Sequence, residues 1–218
     1  YISGHLPKFR EDLFWTEDGK LCLNATSEMM LGNYHREELL PAEDLPLKYF
    51  AFSTCFRREA GAYRTEERGM IRGHQFNKIE MFHFTKPENS WIAFDELLNY
   101  AEQLVEGLCL HYNTVQLAAG DCSAAMAKTV DIEVWIPSMK TYKEVSSVSN
   151  ALDYQARRGD IRFKDKDGKN KFVHTLNASG LATSRVLPAI LEQFQQADGT
   201  VLNPKALQKY MGKKVIGK

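Results

Sequence analysis

Two long segments with the composition of β-strands flank a polar loop, and this arrangement constrains the fold more than any other feature of the sequence. Residues 47–56 (LKYFAFSTCF) and 73–84 (GHQFNKIEMFHF) are rich in aromatic and β-branched residues, which strands favour. The segment between them is charged and polar. The simplest structure for such a pair is an antiparallel hairpin, and a connecting loop of this length is typical of a functional loop.

The rest of the chain adds strands and helices that do not alternate one for one. The period of the apolar residues predicts helices over 88–110 and 150–161, a second pair of strands over 129–137 and 141–147, a hairpin turn at 165–168, and a last helix after 177–180 with a kink or a late start at Pro188. Such an order predicts an α+β fold: a mixed, mostly antiparallel β-sheet flanked by helices, rather than a doubly wound one.

Composition excludes several classes of protein. The 218 residues include 28 Lys plus Arg and 28 Asp plus Glu, so the formal net charge is zero and any polyanion must be met locally. The chain has no apolar run long enough to span a bilayer. Four cysteines without a CxxC pair favour reduced thiols and a cytoplasmic compartment.

The first hairpin carries side chains suited to a nucleotide. Strand alternation places Arg57 with Glu59, and it places Phe76, Lys78 and Glu80 on one face. A guanidinium group suits phosphate oxygens, an aromatic ring stacks on a base, and a carboxylate accepts protons from an amino group. The alternative is a solvated ion pair between Arg57 and Glu59, which contributes roughly 0.2–1 kcal/mol.

Two later segments extend this chemistry. Glu144 and Ser147 offer oxygen ligands for a Mg²⁺ ion shared with phosphates, although they equally fit a polar strand end. Gly180 would let the backbone approach a ligand before a second guanidinium at Arg185; the alternative is a helix start capped by Ser179. Together with the hairpin, and without any GxGxxG or GxxxxGK[ST] motif, these segments favour a bent nucleoside triphosphate attacked at its α-phosphate.

The same segments resemble a known family. CFRREAG with RGMIRGHQFNKIEMF resembles motif 2 of the class II aminoacyl-tRNA synthetases, and NASGLATSRVLPAILEQFQQADG resembles their motif 3. GHLPKFREDLF, TSEMMLGNYHREEL and TYKEVSSVSNALDYQARRGDIRF follow the order found in the seryl-tRNA synthetases. The resemblance implies one catalytic domain over 1–218, with motif 2 at about 47–84 and motif 3 at about 172–197.

The resemblance also implies a reaction and a set of site residues. The enzyme would activate L-serine with ATP to seryl-adenylate and transfer the seryl group to the 3′ end of serine tRNA, with Arg57 and Arg185 as catalytic residues and Mg²⁺ held by Glu144 and Ser147. The implied ATP-binding residues are Arg57, Arg58, Glu59, Phe76, Glu144, Val145, Ser146, Ser147 and Arg185. The implied serine-binding residues are Thr26, Ser27, Glu28, Arg57, Glu80, Asn177 and Ser179.

Some features depart from the family pattern. Ser27 replaces the usual Ala, and residues 62–67 (AYRTEE) replace a common loop sequence, which leaves Arg64 and Arg68 as candidates for contact with the tRNA acceptor end. Motif 1, which builds the family's homodimer, and the N-terminal arm for tRNA are expected before GHLPKF, so we expect an N-terminally truncated catalytic domain that need not dimerise or act alone. Two alternatives are a zinc-containing ligase that loads a carrier protein and an inactive binding module.

Overall fold

The computed structural model describes residues 1–59 and 69–217. The helices are α1 (Glu28–Leu31), α2 (Ser90–Gly107), α3 (Tyr154–Gly159), α4 (Thr183–Gln193) and α5 (Lys205–Met211). The strands are β1 (Leu39–Leu40), β2 (Leu47–Phe56), β3 (Gln75–Thr85), β4 (Tyr112–Gln116), β5 (Lys128–Ile136), β6 (Thr141–Leu152), β7 (Arg162–Lys164), β8 (Asn170–Phe172), β9 (His174–Ala182), β10 (Val201–Leu202) and β11 (Val215–Ile216).

Six of these strands form the main sheet in the order β2-β3-β9-β6-β5-β4, and every neighbouring pair in it is antiparallel. A small sheet of β1, β7 and β8 contains one parallel pair, β1 with β7, and β10 pairs with β11. The predicted α+β class with a mostly antiparallel sheet is confirmed. None of the helices in the described ranges is long and apolar enough to cross a membrane.

Most predicted elements occur near their expected bounds. β2 has the predicted limits, and α2 lies inside the predicted 88–110 segment. β6 continues to Leu152, so the helix predicted over 150–161 is shorter and begins at Tyr154. α4 begins at Thr183 and contains Pro188, so the late start considered for this helix does not occur.

The main sheet has two chemically different faces because its side chains alternate. One face packs against α2 and α4 through an apolar core that includes Phe94, Leu97, Val130, Ile132, Val148, Leu176, Ala178 and Ala189. The intervening residues of β5, β6 and β9 point to the opposite face and line a cavity there: Thr129, Asp131, Ser147, Ser149, Asn177 and Ser179. Period-two alternation therefore places an apolar core and a polar cavity on the same strands.

The cavity face becomes apolar towards the other end of β3. Phe82 and Phe84 are fully buried there in a second core with Leu40, Ile161 and Phe163. Lys78 and Glu80 lie on the same face of β3 by alternation, at the cavity end. This second core anchors the strand that carries the polar pair.

Gly180 permits a close packing contact between two strands. A Cβ atom at this position would lie 3.0 Å from Cγ2 of Ile79 on the neighbouring strand β3, which is closer than side chains normally pack. The backbone of β9 therefore approaches a side chain of the protein here, and the approach of a ligand at Gly180 stays a prediction.

Candidate active site

Three cavities meet around Arg57, which follows the end of β2. Its backbone N–H donates to the His74 carbonyl at 3.0 Å, and its Nε donates to the Ala25 carbonyl at 3.3 Å. The central cavity (about 470 Å³) contains Thr26, Glu28, Lys78, Glu80, Asp131, Glu144, Ser147, Asn177 and Ser179 in its lining. The outer cleft (about 80 Å³) is lined by residues that include Glu59, Phe76, Val145 and Arg185. The side cavity (about 360 Å³) includes His5, Phe9, Asp12, Leu13 and Arg72.

The outer cleft brings together the two arginines and the aromatic ring that the sequence singled out. Arg57, Phe76 and Arg185 all line it. The guanidinium carbon of Arg57 lies 5.3 Å from the centroid of the Phe76 ring, a cation–π distance. Arg185 Nη1 donates to the Glu144 carbonyl at 2.7 Å and to Glu144 Oε2 at 3.4 Å. Two cations and one aromatic ring thus line the same cleft.

Glu59 lines the outer cleft, but it lies beyond the end of β2, where strand alternation no longer applies. β2 ends at Phe56, and Glu59 has a left-handed backbone with φ of 53°. Arg72 Nη1 donates to Glu59 Oε2 at 2.7 Å. No described contact joins Glu59 to Arg57, because the Glu59 carboxylate pairs with Arg72 instead. The side chains of Arg57, Glu59 and Arg72 all line the outer cleft.

A buried ion pair forms one wall of the central cavity. Lys78 is 7% exposed and Glu80 is 1% exposed, and their charged groups form a salt bridge. Lys78 Nζ also donates to Thr26 Oγ1 at 2.7 Å, and Asn177 Nδ2 donates to Glu80 Oε1 at 3.1 Å. Four polar side chains from β3, β9 and the segment before α1 thus fix one another.

Glu28 lies in the same cavity and is held mostly uncharged. Burial, followed by the charge of Glu80, raises the pKa of Glu28 to about 8. Burial, followed by the charges of Arg57 and Lys78, lowers the pKa of His5 to about 4. The 3.6 Å contact between His5 Nε2 and Glu28 Oε2 therefore joins two neutral groups near pH 7. Gln155 Nε2 donates to Glu28 Oε1 at 2.9 Å.

Oxygen donors gather where β5 meets β6. Glu144, Ser147 and Asp131 line the central cavity, and Asp131 faces Ser147 across the strand pair. Burial, followed by the charge of Glu144, raises the pKa of Asp131 to about 6. Within residues 1–59 and 69–217, no three His, Cys, Asp or Glu side chains are grouped to hold a metal. The donor set fits Mg²⁺, which takes only one or two protein carboxylates when phosphates supply further ligands.

Three predicted residues do not line the cavities. The buried Ser27 hydroxyl donates to Ser53 Oγ at 2.6 Å. Ser146 Oγ donates to the Ser179 carbonyl at 2.7 Å, and Arg58 contributes a backbone N–H to the Asp12 carbonyl at 2.8 Å. None of the three lines the central cavity, the outer cleft or the side cavity.

Ser179 lies within β9, so it does not cap a helix as the alternative proposed. Residues 62–67 with Arg64, and also Arg68, lie outside the described residues.

Several residues of the cavities were not predicted as site residues. Lys78 shares a strand face with Phe76 and Glu80, so alternation could have identified it. Asp131 alternates with Val130 and Ile132 in a strand that the sequence predicted. A carboxylate among the polar positions of a half-buried strand could have identified it as a candidate. The presence of His5 in two cavities depends on a long-range fold, and no local pattern indicates it.

Comparisons with known proteins agree on one family. The family model described as "tRNA synthetase class II core domain (G, H, P, S and T)" matches residues 14–194. Serine–tRNA ligase 2 of Clostridium acetobutylicum is 59% identical over 217 residues, covering 97% of this chain and 51% of that protein. The chain thus spans about half the length of the curated relatives that it matches.

Two solved structures are similar to this fold over nearly the whole chain. The seryl-tRNA synthetase of Pyrococcus horikoshii complexed with ATP has a TM-score of 0.93 and 43% identity, covering 98% of this chain and 48% of that one. The cytoplasmic serine–tRNA ligase of Naegleria fowleri in complex with AMP has a TM-score of 0.88 and 37% identity, covering 97% of this chain and 51% of that one.

Proposed function

The chain belongs to the family of class II tRNA synthetase core domains, and from this premise we propose that it is the catalytic domain of a serine–tRNA ligase. The domain spans 1–218, with motif 2 at about 47–84 and motif 3 at about 172–197. The substrates are L-serine, ATP and serine tRNA. The similarity to serine–tRNA ligases and to seryl-tRNA synthetases whose structures contain ATP or AMP supports this assignment.

One observation carries the proposal: Arg57, Phe76 and Arg185 line a single cleft that joins a polar cavity. Arg57, Lys78, Glu144 and Ser179 belong to the linings of both. In our proposal the ring of Phe76 stacks on adenine, and the Glu59 carboxylate accepts a hydrogen bond from the adenine amino group. The guanidinium groups of Arg57 and Arg185 bind phosphate oxygens. Val145 forms part of the cleft wall.

In the first step the serine carboxylate attacks the α-phosphorus of ATP, seryl-adenylate forms, and pyrophosphate leaves. The carboxylate is already a nucleophile, so catalysis depends on alignment and on neutralising charge. Arg57 binds the α-phosphate beside the serine carboxylate, and Arg185 binds the γ-phosphate. Arg185 must then exchange its contacts with Glu144 for phosphate contacts.

Mg²⁺ is the second cofactor in this proposal, held by Glu144 and Ser147 together with phosphate oxygens. When bound, it neutralises charge on the triphosphate. The exposed Glu144 carboxylate lies 3.4 Å, at Oε2, from Arg185 Nη1. Once Arg185 binds phosphate, this carboxylate is therefore available to a cation.

Serine itself fits the polar end of the central cavity. We assign the ammonium group to Glu80 and Glu28, with Thr26, Asn177 and Ser179 completing the pocket. These groups are buried or half-buried, so a ligand that lacks the hydroxyl would leave polar atoms unpaired. Sites of this kind discriminate strongly against the analogue without the hydrogen-bonding group, which favours serine over alanine.

In the second step a ribose hydroxyl at the 3′ end of the tRNA attacks the seryl carbonyl, the ester forms, and AMP leaves.

We also propose a homodimer for the full-length protein and a cytoplasmic location. The edge strand β2 exposes 75% of Phe50 and 67% of Phe52, and exposed apolar edges mark protein interfaces. Size-exclusion chromatography with light scattering on the full-length protein tests the dimer.

Serine-dependent exchange of pyrophosphate into ATP, measured on the full-length enzyme, tests the function. We expect exchange with serine and its loss in Arg57→Ala and Arg185→Ala. A folded enzyme without exchange would support the inactive binding module. Stoichiometric zinc, together with transfer of the amino acid to a carrier protein, would support the carrier-protein ligase, although the relatives favour the tRNA ligase.

A further inference from the structure

Residues 199–218 concentrate positive charge that the rest of the chain lacks. They contain five lysines and no Asp or Glu, so a chain of zero formal net charge is negative over its first 198 residues. Four of these lysines are described by the structure and are exposed: Lys205, Lys209, Lys213 and Lys214. None of the four forms an ion pair with another described residue. Unpaired charges of one sign gathered in one place are the footprint of a surface that binds a polyanion.

The four lysines lie on one small unit formed by β10, α5 and β11 (residues 201–216), which we call the basic unit. The backbone N–H of Asn203 donates to the Lys214 carbonyl at 2.8 Å, and Asn203 Nδ2 donates to the Lys213 carbonyl at 3.1 Å. These bonds hold the second pair of lysines beside the start of α5, where Lys205 lies. The seven residues of α5 span only about 10 Å, so all four lysines can meet one short stretch of a charged chain.

The basic unit also exposes an aromatic ring beside a lysine. Tyr210 is 76% exposed, and Lys209 Nζ lies 4.7 Å from the centroid of its ring. A ring next to a cation can stack on a base while the cation pairs with a phosphate, which is how proteins bind single-stranded nucleic acids. An acidic peptide would match the charge but would give the ring no flat partner, and the bases of a duplex are already stacked. The ligand that uses both features is an unpaired strand.

The basic unit lies away from the cavities. Leu207 of α5 packs against the apolar core, which occupies the face of the main sheet opposite the central cavity. None of its four described lysines lines the central cavity, the outer cleft or the side cavity. A strand bound here would therefore leave the proposed active site open.

We propose that the basic unit binds a single-stranded segment of RNA, with phosphates on the four lysines and an unpaired base stacked on Tyr210. This inference goes beyond the proposed function and does not depend on it, because no residue of the basic unit belongs to the proposed active site.

The test measures RNA binding to the full-length protein by fluorescence anisotropy. The probe is a labelled single strand of about 12 nucleotides without tRNA sequence, within the usual size of such sites. Each phosphate contact adds about 0.7 to the slope of log affinity against log salt, so four contacts predict a loss of about 50-fold between 50 and 200 mM KCl. Combining Lys205→Gln, Lys209→Gln, Lys213→Gln and Lys214→Gln should remove most of this salt dependence and weaken binding by at least about 10-fold at 50 mM KCl.

The hairpin of β7 and β8 supplies a matched control. It carries four exposed lysines, which are changed to Gln together: Lys164, Lys166, Lys169 and Lys171. The control removes the same charge, but Asp165 and Asp167 already pair with two of these lysines. We expect a change in RNA affinity of less than about 3-fold, because salt screens distant charges. Equal losses in the two quadruple variants would overturn the proposal, since overall charge would then explain the binding.

Tyr210 separates RNA from other polyanions. Tyr210→Ala should weaken RNA binding by about 5- to 150-fold and leave the salt slope unchanged, whereas Tyr210→Phe should bind like the wild type. A polyglutamate peptide that binds as tightly as the RNA, with no dependence on Tyr210, would overturn the assignment to RNA. Wild-type protein that does not bind the RNA would overturn it as well.

Serine-dependent pyrophosphate exchange separates this inference from the proposed function. The Tyr210 variants and both quadruple lysine variants should retain exchange, which shows that they are folded. Exchange in the wild type without RNA binding would overturn the RNA surface alone. RNA binding that depends on Tyr210, in a wild-type protein without exchange, would overturn the proposed function alone.

Discussion

The carboxyl groups of Glu28 and Glu80 line the same cavity, and each contacts different partners. Glu80 is ion-paired with Lys78, whereas burial and the charge of Glu80 raise the pKa of Glu28 to about 8. Two neighbouring carboxylates cannot both ionise cheaply in a buried site. Glu28 therefore retains its proton near pH 7, and in the proposed function an incoming ammonium group would meet both Glu80 and a titratable Glu28.

Serine binding should release a proton near pH 7. The ammonium group lowers the pKa of Glu28 from about 8, so the bound state holds fewer protons than the free one. Calorimetry on the full-length enzyme in phosphate and in Tris should give different binding enthalpies, and Glu28→Gln should remove the difference. Equal wild-type enthalpies in the two buffers would contradict the assignment.

Glu28 should also make stability depend on pH. Its pKa rises from 4.5 to about 8 on folding, so the folded state binds the extra proton, and stability is lost as the pH rises between these values. At pH 9 the free energy of unfolding of Glu28→Gln should therefore exceed that of the wild type by on the order of 1 kcal/mol or more. At pH 4 the two proteins should have similar stability, and thermal unfolding at each pH checks this. The exposed Glu43→Gln variant should follow the wild type throughout.

Replacing Lys78 alone should lower the stability of the protein strongly, whereas replacing Lys78 and Glu80 together should lower it much less. Lys78→Met leaves Glu80, 1% exposed, as an uncompensated buried charge, and we expect a loss of about 3–5 kcal/mol. The double variant Lys78→Met with Glu80→Gln should recover a large part of this loss. Urea unfolding of the singles and the double gives the coupling energy, and purely additive losses would contradict the buried pair.

Gly180→Ala should destabilise the protein without changing substrate affinity. The new Cβ meets Ile79 Cγ2 at 3.0 Å, and overpacking of this kind costs about 1–3 kcal/mol. The additional change Ile79→Ala should relieve the contact, so the two effects should combine to less than their sum. A raised KM for ATP with unchanged stability would instead favour the ligand-approach role that the sequence suggested.

Phe76→Ala should weaken ATP binding and leave serine binding unchanged. Stacking of a base on an aromatic side chain is worth about 1–3 kcal/mol, which corresponds to roughly a 5- to 150-fold loss of ATP affinity. Phe76→Tyr keeps the ring and serves as the conservative control. Calorimetric titration of the full-length enzyme with each ligand checks this, and equal losses for ATP and serine would point to a general disruption of the site.

The sequence predicted the elements with strong periodicity, and the structure brings most of the candidate site residues on them to the same cavities. β2 matches its predicted bounds because aromatic and β-branched residues continue to Phe56. The short strands β1, β10 and β11 were missed because two residues carry no periodic signal. The placement of His5 and Asp131 in the central cavity depends on strand order and on long-range packing, which a local pattern does not contain.

The alternating faces of β9 restrict how this protein can change over evolutionary time. Leu176 and Ala178 belong to the apolar core, while Asn177 and Ser179 line the cavity. Deleting one residue from this strand would exchange the two sets. If the proposed function holds, substrate preference can therefore change through substitutions at positions 177 and 179 but not through insertions or deletions in this strand. A library designed to alter amino-acid selectivity should therefore randomise positions 177 and 179 and keep the strand length fixed.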